Sequence, residues 1–182
     1  PDKHLAGVGV AFKLATALLT KAGLEHEIPG FLKIAAIGTV ADVMDLTGEN
    51  RAIVAIGLKD LLLTDSCGLR ALMEVADCTS EMTSYHIGFR IGPRINAAGR
   101  MDVAKHVVEL LEETDFSKAR QLAGLLDSRN RERQQTQQRT TELACAEAAE
   151  HGTANFVVVA GKGWHRGVFG LAASRLAEKL YR

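Results

Sequence analysis

SKARQLAGLLDSRNRERQQTQQRTTELACAEAAEH, residues 117–151, decides the architecture. It holds no proline and a single glycine, Gly124, and is built mainly from Ala, Leu, Gln, Arg and Glu, which are good helix formers. The stretch predicts one continuous helix, a rod of roughly 50 Å at about 1.5 Å per residue. Apolar residues sit near its two ends: Leu122, Leu125 and Leu126, then Leu143, Ala144 and Ala148. Between Arg129 and Thr141 there is none. A helix that is polar all round in its middle is expected to bridge two packed units through solvent. Its arginines, Arg129, Arg131, Arg133 and Arg139, read as a solvated face beside Glu132 and Glu142, with a nucleic-acid track as the alternative.

Before the rod the chain reads as helical. Leu5, Val8, Phe12, Ala15 and Leu19 keep helical spacing over 4–22, and Gly23 suits the position just past a helix end. Pro29 can open a second helix, nearly free of charge up to Asp42. Further helices are expected over 50–63, 68–76 and 102–113. Between the last two, residues 79–101 are rich in Gly and Arg and suggest a loop. After the rod, Phe156-Val157-Val158-Val159-Ala160 is the kind of continuous run expected of a buried strand. Glycines follow it, then a helix from about 167 onward. The fold class expected is α/β overall and helix-rich, with a helical body over 1–115, a connecting helix over 116–152 and a strand-helix unit over 153–182. One strand makes no sheet, so its partners are expected beyond Arg182. The start, Pro1-Asp2-Lys3-His4, has neither an initiator Met nor a leader pattern and reads as the interior of a longer chain.

Composition narrows the function classes. Of 182 residues, 47% are hydrophobic and 24% charged, which is globular composition. Lys plus Arg and Asp plus Glu are 22 each, so an anion site must be local, not a global positive field. Aromatic residues are 5%, too few for an aromatic stacking platform. No apolar run is long enough to span a membrane. The three cysteines, Cys67, Cys78 and Cys145, form no C-x-x-C pair and fit free thiols in a reducing cytoplasm.

Three constellations could carry chemistry. Asp42 follows eight uncharged residues, Ile34 to Ala41, and such a carboxylate is expected to cap, pair or bind a metal. Arg90-Ile-Gly-Pro-Arg94-Ile-Asn96-Ala-Ala-Gly-Arg100 places three arginines without a balancing acid. Guanidinium forks and glycine-exposed N–H groups suit phosphate, while the plain alternative is a loop whose arginines pair with acids elsewhere, such as Glu109 or Asp115. Lys162, His165 and Arg166 lie in a glycine-rich turn leading into a helix, where an anion could bind. On residue type alone His165 reads first as a capping or core histidine, and Trp164 is expected to pack between rod and strand.

Taken in order, I-G-T-V-A-D-V-M (37–44), R-I-G-P-R-I-N-A-A-G-R (90–100) and W-H-R-G-V (164–168) resemble the RecJ family, a branch of the aspartate-histidine-histidine (DHH) phosphoesterase superfamily. The resemblance implies a 5′→3′ exonuclease of single-stranded DNA in repair and recombination. Its architecture would be a DHH domain joined by a long helix to a DHH-associated nucleic-acid-binding α/β domain. It further implies a pair of Mn²⁺ or Mg²⁺ ions with Asp42 as a ligand. Asn96, Arg100 and Arg94 would face the phosphate, and His165 would lie on the cleft side of the second domain. Implied partners are single-stranded DNA, a single-strand-binding protein and a helicase. The family's D-x-D and D-H-H motifs do not occur in these 182 residues, and Asp45 stands where relatives often have Pro. The chain alone is therefore expected to be inactive. Two alternatives remain: an oligoribonuclease or nucleotide phosphatase of the same superfamily, and a non-catalytic nucleic-acid-binding scaffold.

Overall fold

The rod forms as one helix, α8, spanning Phe116–Glu150. In the computed structural model of the chain, residues 3–98, the backbone of 99–100, and residues 105–150 and 156–180 are described. Before α8 come α1 (Gly7–Ala22), α2 (Ile28–Ala41), α3 (Gly48–Leu61), α4 (Cys67–Val75), α5 (Ser84–His86), α6 (Gly92–Arg100) and α7 (Lys105–Glu112). A π-helical turn, Ile87–Ile91, joins α5 to α6, and α9 (Phe169–Leu180) follows α8. No strand occurs among the described residues.

The main core lies where α4, α6, α7 and the π turn meet the first turns of α8. Leu61, Leu72, Ile87, Ile91, Leu110 and Leu126 are buried there. Burying side chains of this size stabilises by about 1.5–3 kcal/mol each. The smaller α1–α2–α3 layer packs through Ala35, Ala36 and Ile53. Its small residues allow close approach: a Cβ on Gly57 would collide with that of Ala36.

At the far end of α8, Ala144 and Ala148 pack with Leu176 of α9, Val157, Val159 and Trp164. Trp164 thus packs as expected, its ring seated where a Cβ on Gly161 would stand. Between the two ends, Glu132, Gln134, Gln135 and Arg139 are exposed, so one side of the middle of α8 meets solvent, while Asn130, Thr140 and Thr141 are buried.

The strand expected over 156–160 is the main departure. Val157 and Val159 face the cluster while Phe156 and Val158 remain 81% and 66% exposed. That alternation belongs to extended backbone. A ladder needs a second strand, and the described residues provide none. A groove of about 630 Å³ runs beside this segment, lined by Thr140, Ala144, Trp164, Phe169 and Leu176 among others. No helix among the described residues is long and apolar enough to cross a membrane.

Candidate functional site

The last turns of α2 carry the first candidate group. Ala35, Ala36, Ile37 and Thr39 are buried, and Thr39 Oγ1 donates to the Ala35 carbonyl at 2.7 Å. The helix ends in a Schellman cap: Val43 N–H bonds the Val40 carbonyl at 3.0 Å and Met44 N–H that of Thr39 at 3.2 Å. The left-handed position is filled by Val43, φ 56°, not by the usual glycine.

Asp42 is the residue before it, and it is exposed. The sequence suggested a buried charge that needed a partner; the structure removes that reason. Its carboxylate makes no ion pair or hydrogen bond among the described residues. A different force acts on it. The C-terminal end of a helix carries partial negative charge, which disfavours a carboxylate and favours a cation by about 0.3–1 kcal/mol. The following loop is held by Asn50, fully buried, whose Nδ2 donates to the carbonyls of His4 (2.8 Å) and Asp45 (3.1 Å).

The arginine-rich stretch is helix, not loop. Pro93 lacks an N–H, so the preceding turn opens to a π turn in which Gly92 N–H reaches the Ile87 carbonyl. Gly92 and the nearby Gly88 serve packing. A Cβ on Gly92 would lie 2.9 Å from the Ile87 oxygen and 3.3 Å from Ala41 Cβ, and one on Gly88 would lie 3.8 Å from Val40 Cγ1. Their backbone is turned to α2 instead of being offered to an anion. This close approach sets the end of α2, and so Asp42, against the start of α6. Asn96 stands one helical turn after Gly92, exposed and without a hydrogen bond among the described residues. Arg100 closes α6, and its side chain lies outside the described residues.

Arg94 does not face solvent. Its Nε and Nη2 meet Asp127 Oδ1 at 3.0 and 2.8 Å, its Nη1 donates to the Arg90 carbonyl at 2.6 Å, and its Nη2 to that of Val75 at 3.1 Å. A guanidinium so engaged would have to leave its partners to grip phosphate. Arg90 likewise bonds Asp77, at the backbone oxygen (2.6 Å) and more loosely at the carboxylate (3.4 Å). Arg90 and Arg94 do pair with acids, but with Asp77 and Asp127 and not with Glu109 or Asp115. Buried beside them, the Cys78 thiol is pushed above its ordinary pKa by desolvation, against the opposing pull of Arg90.

His165 belongs to the other end of α8. Its Nδ1 accepts from Gly167 N–H at 3.1 Å, capping the short 3₁₀ turn that leads into α9. The neighbouring Trp164 packs near Ala144, about 25 Å along α8 from Asp127 at 1.5 Å per residue. The structure therefore brings Asp42 and Asn96 to neighbouring elements and leaves His165 apart. No group of three His, Cys, Asp or Glu side chains that could hold a metal occurs among the described residues. Asp127 was missed from sequence, although it is the only acid between Phe116 and Arg131 and follows two leucines.

No protein-family model matches the chain. Across all of it, 41% of residues are identical to the single-stranded-DNA-specific exonuclease RecJ of Bacillus subtilis (strain 168), over 185 aligned residues. Over its whole length the chain is similar to RecJ proteins. It spans 23% of that Bacillus protein's length. Crystal structures of RecJ agree with the fold. RecJ of Thermus thermophilus in complex with Mg²⁺ superposes with a TM-score of 0.87 at 35% identity, covering 97% of this chain and 28% of that one. Exonuclease RecJ bound to manganese gives 0.88 at 35% identity, covering 100% of this chain and 46% of the other.

Proposed function

We propose that this chain is part of a metal-dependent exonuclease that hydrolyses single-stranded DNA from its 5′ end during repair and recombination. The observation that carries the reading is the packing of two RecJ-like stretches, the Asp42 end of α2 against the R-I-N-A-A-G-R helix. In this reading residues 1–115 are the later part of a DHH domain, 116–152 the connecting helix, and 153–182 the opening of a DHH-associated domain. Strands of that domain would pair with 156–160 and cover Phe156 and Val158.

The donor chemistry fits a hard divalent cation, Mn²⁺ or Mg²⁺. Asp42 offers an exposed carboxylate at the negative end of a helix, which suits one ligand of a shared site and is too little for a whole one. Bound cations would supply a nucleophile at neutral pH and stabilise charge on the leaving oxygen. Asn96 and Arg100 then hold the phosphate at the scissile or terminal position, and Arg94 orients α6 beneath them. His165 presents its remaining ring nitrogen toward the DNA path from the second unit. A narrow cleft along α8 admits one strand and excludes duplex. Single-strand-binding protein and a helicase are the partners we assign, and the cytoplasm the compartment.

The test uses a family-length RecJ protein carrying this segment. It should release nucleotides from 5′-phosphorylated single-stranded DNA only with Mn²⁺ or Mg²⁺, spare duplex, and act on long strands, whereas the 182-residue chain alone should be inactive. Activity confined to very short oligonucleotides or nucleotide phosphates would favour the phosphatase-type alternative. DNA binding without hydrolysis would favour the scaffold.

A further inference from the structure

Asp127 is a buried carboxylate that the chemistry above leaves unused. Its side chain is 12% exposed and is approached at 2.8 Å by Arg94 on one side and by Arg131, one turn along α8, on the other. Arg94 is itself 16% exposed and also donates to carbonyls at the end of α4 (Val75) and in the π turn (Arg90). One guanidinium therefore ties α4, the π turn, α6 and α8 together at a point.

Large side chains fill the core beneath this point, among them Ile91 and Leu126, but much of the direct α6–α8 contact is made by small ones. Among the described side chains of α6, Ala97 and Ala98 are buried and Ile95 partly so, and the first turns of α8 bury Ala119 and Ala123 before the larger Leu126. Small side chains give shallow ridges, which define rotation and sliding poorly. Upstream, the π turn interrupts the regular helical ladder through which α6 could inherit its phase from α5. A buried ion pair adds little net stability over well-packed apolar residues, but its directionality can specify register.

We infer that Asp127, acting through Arg94, is a positioning residue: it sets the rotation and register of α6 on α8, and with them where Asn96 stands relative to the end of α2. This inference rests on the reading of α2 and α6 as the phosphate site. It also makes α8, the element linking the two units, mechanically continuous with that site.

The test compares the double variant Arg94→Met/Asp127→Leu, which removes the clasp and refills its volume, with Asp127→Asn in a family-length RecJ protein carrying this segment. Melting temperature, steady-state kinetics on 5′-phosphorylated single-stranded DNA and hydrogen exchange over residues 94–98 are read together. The double variant should melt within about 3 °C of the parent. Its kcat should fall roughly 10- to 100-fold with KM within about twofold, as a misplacement near 1 Å would cause. Its α6 amides should exchange about tenfold faster. Asp127→Asn should lose kcat to a smaller degree at unchanged fold. Parental kcat in a folded double variant would overturn the inference; should that variant not fold, parental kcat in Asp127→Asn would do so. If the unsubstituted protein releases no nucleotides, the functional reading fails separately, and the clasp is judged by exchange alone, where unaltered protection over 94–98 overturns it.

Discussion

Val43 offers the sharpest quantitative test of how α2 ends. It occupies the left-handed position of a Schellman cap with φ 56°, and it is 88% exposed. A branched side chain in that region crowds the following carbonyl, at a cost of about 1–2 kcal/mol. Because the side chain is exposed, almost no burial offsets that cost. Val43→Gly removes the clash but adds roughly 0.5–1 kcal/mol of unfolded-state entropy. The net expectation is a gain of about 0.5–1 kcal/mol, or roughly 1–4 °C in melting temperature for a chain this long. The same cap recurs at the end of α1, where Gly23 has φ 70° and a Cβ would meet nothing within 4 Å. Gly23→Val should therefore reproduce the net effect in reverse, lowering stability by about 0.5–1 kcal/mol without any steric contribution from neighbouring elements. Urea titration and calorimetry of the three chains measure both values. A Val43→Gly chain no more stable than the parent, while Gly23→Val is clearly weakened, would show that the exposed valine is not strained and refute the reasoning.

Other outcomes follow from single contacts. A Cβ at Gly68 would stand 2.7 Å from the Leu110 carbonyl carbon and 3.2 Å from Leu111 Cα, both backbone that cannot rotate aside. Gly68→Ala should cost about 3 kcal/mol in chemical denaturation, whereas Gly124→Ala, with open space in α8, should gain about 0.5–1. Thiol labelling of the native chain should modify Cys67 and Cys145 and spare Cys78, which is 1% exposed. Since burial raises the Cys78 pKa above its ordinary 9.0, the fold holds the neutral thiol. That contribution is fully present below pH 9.0 and is lost as pH rises toward the raised value, so the melting temperature of the parent should fall more steeply there than that of Cys78→Ala. His165→Asn should keep the cap on the 3₁₀ turn and the melting temperature, while His165→Ala should lose about 0.5–2 kcal/mol. If the ring also serves the DNA path, both variants should weaken binding of single-stranded DNA by the family-length protein.

Much of the fold is legible because helices announce themselves. The rod over 117–151 has composition, length and an apolar-polar-apolar plan that leave one reading, and α8 matches it within a residue. Gly23 and Pro29 mark a helix end and start through their own backbone restrictions. Two other Schellman caps were invisible, since Val43 and Asp77 hold the left-handed position without a glycine to mark it. The R-I-G-P-R-I-N-A-A-G-R stretch looked like a loop because glycine and proline usually break helices. Here Gly92 instead permits a close approach to α2, and Pro93 goes with a widened turn. The run over 156–160 has the pattern of a strand, but a pattern cannot supply the neighbour that a ladder requires. Asp42 and Asn96 are candidates by residue type and motif, and the fold sets them on neighbouring elements. The engagement of Arg94 could not be read in this way, because its partner Asp127 lies 33 residues away on another helix.

The account stands most directly on Asp42. In a family-length RecJ protein carrying this segment, Asp42→Asn should lower Mn²⁺-dependent nucleotide release from 5′-phosphorylated single-stranded DNA by roughly 100-fold or more, the loss expected when several kcal/mol of charge stabilisation is withdrawn. The melting temperature should hold or rise slightly, since a carboxylate has left the negative end of α2. Hydrolysis at the parental rate by a folded Asp42→Asn protein would contradict the account.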